Sequence, residues 1–181
     1  FINLKGAYFI NRSNSYVYED PLDSRYPRDD AQSFLGGNFS FYRGGAVMDY
    51  TKRETKTLLT GFDITSQVTR QHMVKTGTLF KTYNLQFRSF GINNNSSTGY
   101  VPAIPPEGTP DHVYFDERPF EVSAYIQDKM EFDYMVVNLG VRFDYFDANS
   151  NFPADYGRPT TSEKTNTTPN WQISPRFGIA Y

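Results

Sequence analysis

Two histidines, His72 and His112, are the only imidazoles in this 181-residue chain, which contains no cysteine. Neither histidine has a nucleophile and a carboxylate placed to complete an acid–base–nucleophile set. His72 therefore reads as a turn-rim residue and His112 as a loop residue. The lack of cysteine removes thiolate metal sites and disulfides from consideration. Asp147, Asn149 and Asn151 have the alternate spacing of a calcium loop, with Asp155 following. However, Phe152 stands where such a loop needs glycine and Arg158 where it needs a bidentate glutamate, so a polar turn is expected there. The pairs Gly36-Gly37 and Gly44-Gly45 lack the strand and helix that frame a phosphate-binding loop. No catalytic residue, metal or cofactor is expected.

The remaining chemistry belongs to polar residues spaced through otherwise apolar stretches: Asp63, Gln67, Lys75, Gln127, Arg142, Asp144 and Arg176. Such a set makes a wetted wall that can line a substrate path or hold an inserted domain. The loop aromatics Tyr100, Tyr114 and Phe115 could stack on an incoming ligand or pack the loops together.

The elements that must carry these residues are strands. Period-two alternation recurs in segments of roughly 10 to 14 residues, the length a tilted membrane strand needs. In 136–146, Val137, Leu139, Val141, Phe143 and Tyr145 point one way and Asn138, Gly140, Arg142 and Asp144 the other. In 120–132, Phe120, Val122, Ala124, Ile126 and Met130 oppose Glu121, Ser123, Tyr125, Gln127 and Lys129, with Asp128 as the exception. In 57–70, Leu58, Phe62, Ile64 and Val68 oppose Asp63, Thr65 and Gln67. In 73–88, Val74, Thr76, Thr78 and Phe80 oppose Lys75, Gly77 and Lys81; that alternation slips near Tyr83, where a bulge is expected.

Two further strands begin at Ile2 (Leu4, Tyr8 and Ile10 against Asn3, Lys5 and Asn11) and at Trp171 (Ile173, Phe177 and Ile179 against Gln172, Ser174 and Arg176). Pro175, which has no N–H to donate, marks a bulge, an edge or a boundary in the last. The count is about six strands, the expected fold class being an all-β, antiparallel transmembrane β-barrel segment. Short turns at 70–72 and 133–134 alternate with long loops at 19–56, 89–118 and 147–170, the asymmetry of outer-membrane barrels.

Composition agrees. Aromatics reach 17%, with 16 Phe and 14 Tyr, yet the mean hydropathy is −0.60. Strands with one apolar and one wet face give that average, and no apolar window of about 20 residues is present for a spanning helix. A net charge of −2 without a Lys/Arg cluster argues against nucleic acid as a partner. A soluble secreted β-module, binding carbohydrate or acting as an adhesin, is the alternative that the same alternation allows.

Three stretches, LTGFDITSQVTRQHMVKTGTLFK (59–81), FEVSAYIQDKMEFDYMVVNLGVRFDYF (120–146) and WQISPRFGIAY (171–181), resemble the barrel of TonB-dependent outer-membrane receptors of the Bacteroidetes type. The resemblance implies TonB-dependent uptake of a scarce or bulky nutrient, such as a siderophore, vitamin, glycan or peptide. It also implies a barrel of about 22 strands around an N-terminal plug. Its partners would be outer-membrane lipid, the TonB-ExbB-ExbD complex acting through the plug, and a surface lipoprotein. About six strands do not close a barrel, and an open edge in lipid leaves backbone groups unpaired. The chain is thus expected to be one stretch of a single barrel domain in a longer polypeptide, without the plug.

Overall fold

The computed structural model describes residues 1–26, 46–94, 96–99, 101–158 and 161–181. Alternation produces strands along all six expected segments: β1 (Ile2–Ser15), β2 (Asp49–Gln67), β3 (His72–Gly91), β5 (Phe120–Phe132), β6 (Met135–Asp147) and β9 (Asn170–Ala180). A shorter β4 (His112–Glu117) lies between β3 and β5, and β7 (Asn151–Pro153) and β8 (Lys164–Asn166) form a small hairpin within the loop before β9. The main sheet has the order β1-β2-β3-β5-β6-β9, antiparallel throughout, with β4 also on β3. It is open: β1 and β9 do not pair with each other.

Residues paired directly across antiparallel strands share a face, so the register defines two surfaces. One carries Leu4, Phe62, Thr78, Ala124, Phe143 and Ile173 in a single row across six strands. Leu58, Ile64, Val137, Leu139 and Val141 lie on the same surface. These side chains are left uncovered, Leu4 at 80%, Phe177 at 72% and Ile173 at 56% exposure. Phe80, Phe120, Tyr145 and Trp171 form an aromatic border on the loop side, with Phe120 5.8 Å from Tyr145 between ring centroids. Asp128, the charge that breaks the pattern, is hydrogen-bonded to His72 Nδ1 at 2.7 Å near the short-turn rim.

Several boundaries differ from the sequence reading. β2 starts at Asp49, not at Thr57, so the last part of the expected 19–56 loop is strand. β3 continues to Gly91. No bulge occurs at Tyr83, which pairs with Thr57 in unbroken register and donates its N–H to the Pro119 carbonyl at 2.9 Å. The alternation slips there because the strand passes the aromatic border, and each face then meets a different medium. β4 and β5 keep one register on β3, interrupted by Arg118 and Pro119, the latter having no N–H to donate. Pro175 sits opposite Val141 without a bulge, in the outermost strand of the described sheet.

The hydrophobic core of the described residues lies entirely on the loop side. Tyr26, Tyr50, Phe90 and Ile92 are buried together, with Tyr16 stacked 5.1 Å from Tyr50 and Tyr50 4.9 Å from Phe90. The Tyr50 hydroxyl donates to the Glu19 carbonyl at 2.9 Å. Beside this core Arg25 hydrogen-bonds the Asp23 carboxylate, lowering its pKa to about 2.

Candidate functional site

All seven polar candidates fall on the face opposite the apolar surface. Asp63, Gly77, Tyr125 and Arg142 share one row; Lys75, Gln127, Gly140 and Arg176 share the next row toward the short turns. Asp144 lies one row toward the loops and Gln67 near the turn, opposite Met73.

This face is cross-linked by charge. Lys5 reaches Asp63 at 2.7 Å, and the Tyr125 hydroxyl donates to the other Asp63 oxygen at 2.7 Å. Tyr125 is on β5 and Asp63 on β2, so the hydrogen bond crosses β3. Gly77 makes the crossing possible: a Cβ there would lie 2.4 Å from Asp63 Oδ1 and 2.9 Å from Tyr125 Cε1. Further along, Lys81 meets Glu121 at 3.3 Å, Glu121 also accepts from the Tyr83 hydroxyl at 2.8 Å, Arg142 forks onto Asp144 at 2.8 Å, and Lys129 pairs with Glu131. Lys81, Glu121, Arg142 and Asp144 line a concavity of about 500 Å³. Lys75 and Arg176 form no ion pair with the described residues.

Beyond the aromatic border both surfaces change character. The formerly apolar side of β1–β3 now carries Arg12, Glu54, Lys56, Gln86 and Arg88, and Glu54 takes Lys56 at 2.5 Å as well as Arg12. Those two hydrogen bonds, Lys56 first, hold the Glu54 carboxyl below its ordinary pKa. On β3 and β4 the formerly polar side gains an apolar run, Leu85, Phe87, Phe115 and Val113, whereas on β1 and β2 it keeps Asn11, Ser13, Thr51, Arg53 and Thr55. Phe87 and Phe115 stack at 5.3 Å with 23° between planes, and the Arg53 guanidinium lies 5.1 Å above Phe87.

Lys5, Lys81, Glu121 and Tyr125 stand on the polar faces in the sequence reading but outside its site candidates, and Arg53 and Phe87 were not singled out. Their signal is opposite charge or ring at facing positions, which becomes visible only with the register. Tyr114 lies on the outer side of β4, under Arg88 at 5.0 Å, so of the two described loop aromatics it is Phe115 that faces the inner side there. Tyr100 and the glycine pairs at 36–37 and 44–45 lie outside the described residues. Asp147 spends one oxygen on the Asn149 N–H at 2.7 Å, with Asn149 at φ 45°, and Asp155 takes Arg158 at 3.0 Å, the arrangement of polar turns. His112 is buried in the loop-side core, its Nδ1 on the Pro105 carbonyl at 2.8 Å and its ring 4.8 Å from Phe90.

An open antiparallel wall with one uncovered apolar face, one charged face and an aromatic border is the wall of a membrane barrel. The match to known families agrees: residues 2–181 match the TonB dependent receptor-like, beta-barrel family, and the chain belongs to it. That family consists of outer-membrane transport receptors that work with the TonB energy-coupling machinery. No curated protein and no solved structure matched the chain.

Proposed function

We propose that this chain forms part of the wall of an active importer, which takes up a scarce or bulky nutrient through the outer membrane under TonB control. The observation that supports this most directly is the division of one six-stranded sheet into two continuous surfaces. In the proposed barrel the apolar surface meets lipid, and the surface with Asp63, Gln67, Lys75, Gln127, Arg142, Asp144 and Arg176 faces the lumen. There these residues line the substrate path or hold a plug inserted into a larger barrel, closed by further strands on β1 and β9. Siderophores, vitamins, glycans and peptides are the cargo classes in view, with a surface lipoprotein as a further partner.

A soluble carbohydrate-binding module would need a second layer over Leu4, Phe62, Phe143, Ile173 and Phe177, and nothing among the described residues covers them. The test is genetic. Deleting the gene and deleting the energy-coupling gene should produce the same growth defect on one limiting nutrient, without additivity. A receptor deletion whose defect persists unchanged and additive in the energy-coupling mutant would overturn the reading, as would recovery of the native protein from the aqueous fraction.

A further inference from the structure

We infer that the inner side of the loop-end extension holds a subsite for an aromatic carboxylate, built by Arg53, Phe87 and Phe115. The inference rests on the receptor reading and narrows its cargo to ligands with such a group. The starting observation is the apolar run on β3 and β4 described above. Up to the border this side intersperses Leu59 and Leu79 with charges such as Lys81 and Glu121, and hydrating a path at the rim needs no continuous apolar area. Yet Leu85, Phe87, Phe115 and Val113 place apolar area there, Phe115 at 40% and Val113 at 48% exposure.

Arg53 makes this patch selective. Its guanidinium lies over one face of Phe87, at 5.1 Å, and forms no ion pair with the described residues. A guanidinium stacked in this way keeps its planar N–H edge free for a bidentate carboxylate. Phe115, on the far side of Phe87, offers its ring to a second aromatic. Glu117, the carboxylate on this side of β4, stands opposite Leu85, two strands from β2, too far to neutralise Arg53. Anion and ring recognition therefore lie side by side in one row, Arg53, Phe87, Phe115.

Size fixes what can be held. The concavity lined by Arg53, Thr55, Leu85, Gln86, Phe87 and Phe115 is about 230 Å³. Whole drug-sized ligands need roughly 300–1,000 Å³, so the subsite takes one ring-bearing moiety while the rest of the cargo contacts other parts of the mouth.

The experiment uses the intact receptor in nanodiscs, titrated with benzoate, benzyl alcohol and acetate and read by saturation-transfer NMR. Benzoate should bind, benzyl alcohol more weakly, and acetate not measurably. Phe115→Ala and Arg53→Gln should each weaken benzoate roughly tenfold, the scale of one stacking or charge-assisted contact. Arg53→Lys should recover only part of the loss, because ammonium cannot present a planar fork. Unaltered heat-modifiable migration on gels establishes that each variant is folded. Absence of benzoate binding, or equal binding by the Arg53→Gln/Phe115→Ala double variant, overturns the subsite. If that happens while the genetic phenotype remains TonB-dependent, the subsite falls and the receptor reading stands.

Discussion

The same three strands, β1 to β3, pass through two regions that follow different rules. Between the short turns and the aromatic border they are apolar outside and charged inside, and the described residues there bury no hydrophobic core. Beyond the border the formerly apolar side carries Arg12, Glu54, Lys56, Gln86 and Arg88 and then, on that same side, Tyr50 and Phe90 of a conventional core with Tyr26 and Ile92, while on the other side Phe87 stands among polar neighbours. Strand identity is continuous, since register runs unbroken from Gln67–Met73 to Asp49–Gly91. The difference comes from the medium. In lipid the ladder of backbone hydrogen bonds and the surrounding hydrocarbon maintain the sheet, whereas in water the extension needs side-chain burial and ion pairs of its own. β5, β6 and β9 stop at or near the border, so only one side of this wall makes the second kind of structure.

The comparison breaks most visibly by moving a charge across the border. Val141→Arg, in mid-band on the apolar face, should cost about 2–4 kcal/mol in denaturant unfolding of the intact receptor in lipid. Gln86→Arg, which lies on the same face beyond the border, should change stability by less than about 0.5 kcal/mol. Equal costs at the two positions would mean that the border is misplaced.

Glycine substitutions sharpen the inner side. Gly77→Ala puts a methyl 2.4 Å from Asp63 Oδ1 and against backbone at 2.8 Å, and should cost about 1–3 kcal/mol through overpacking. Gly6→Ala has nothing within 4 Å and should be neutral in the same assay. Tyr125→Phe, which removes the hydroxyl donated to the Asp63 carboxylate but leaves Gly77, should lose about 1.5–3 kcal/mol, separating the hydrogen bond from the steric role.

Acid should loosen the extension before the band. Glu54 is held below its ordinary pKa by Lys56 and Arg12, so its stabilising share is present above the unfolded value, about 4.3, and is lost as pH falls through the lower folded value. Proteolytic cutting of the loop end should therefore rise below about pH 4, and Glu54→Gln should flatten that dependence while leaving heat-modifiable migration unchanged. The smallest effect is expected from Tyr50→Phe. Losing its hydroxyl contact to Glu19 should raise loop-end hydrogen exchange by a few-fold, corresponding to about 0.5–1.5 kcal/mol, with no change in the band.

Much of the wall was legible because lipid imposes a strict rule. Val137, Leu139, Val141 and Phe143 alternate with Asn138, Gly140, Arg142 and Asp144, and only one strand orientation satisfies hydrocarbon on one side and water on the other. That rule located six strands, both short turns and the shared face of all seven polar candidates. It failed at 49–56 and near Tyr83, where the strands continue in water. TKRETK (51–56) has no apolar stripe to reveal it, and it is strand because Lys56 and Glu54 pair with Ile10 and Arg12 on β1 and with Asn84 and Gln86 on β3.

What the sequence determined by itself, then, was the presence of the strands and their two faces, because period-two polarity is a local property of the chain. What only the tertiary structure decided was which residues face one another: that Gly77 lets Tyr125 cross to Asp63, that Lys81 meets Glu121, and that Arg53, Phe87 and Phe115 share one row. These neighbours are separated by tens of residues along the chain, and register is a relation between strands that no single strand encodes.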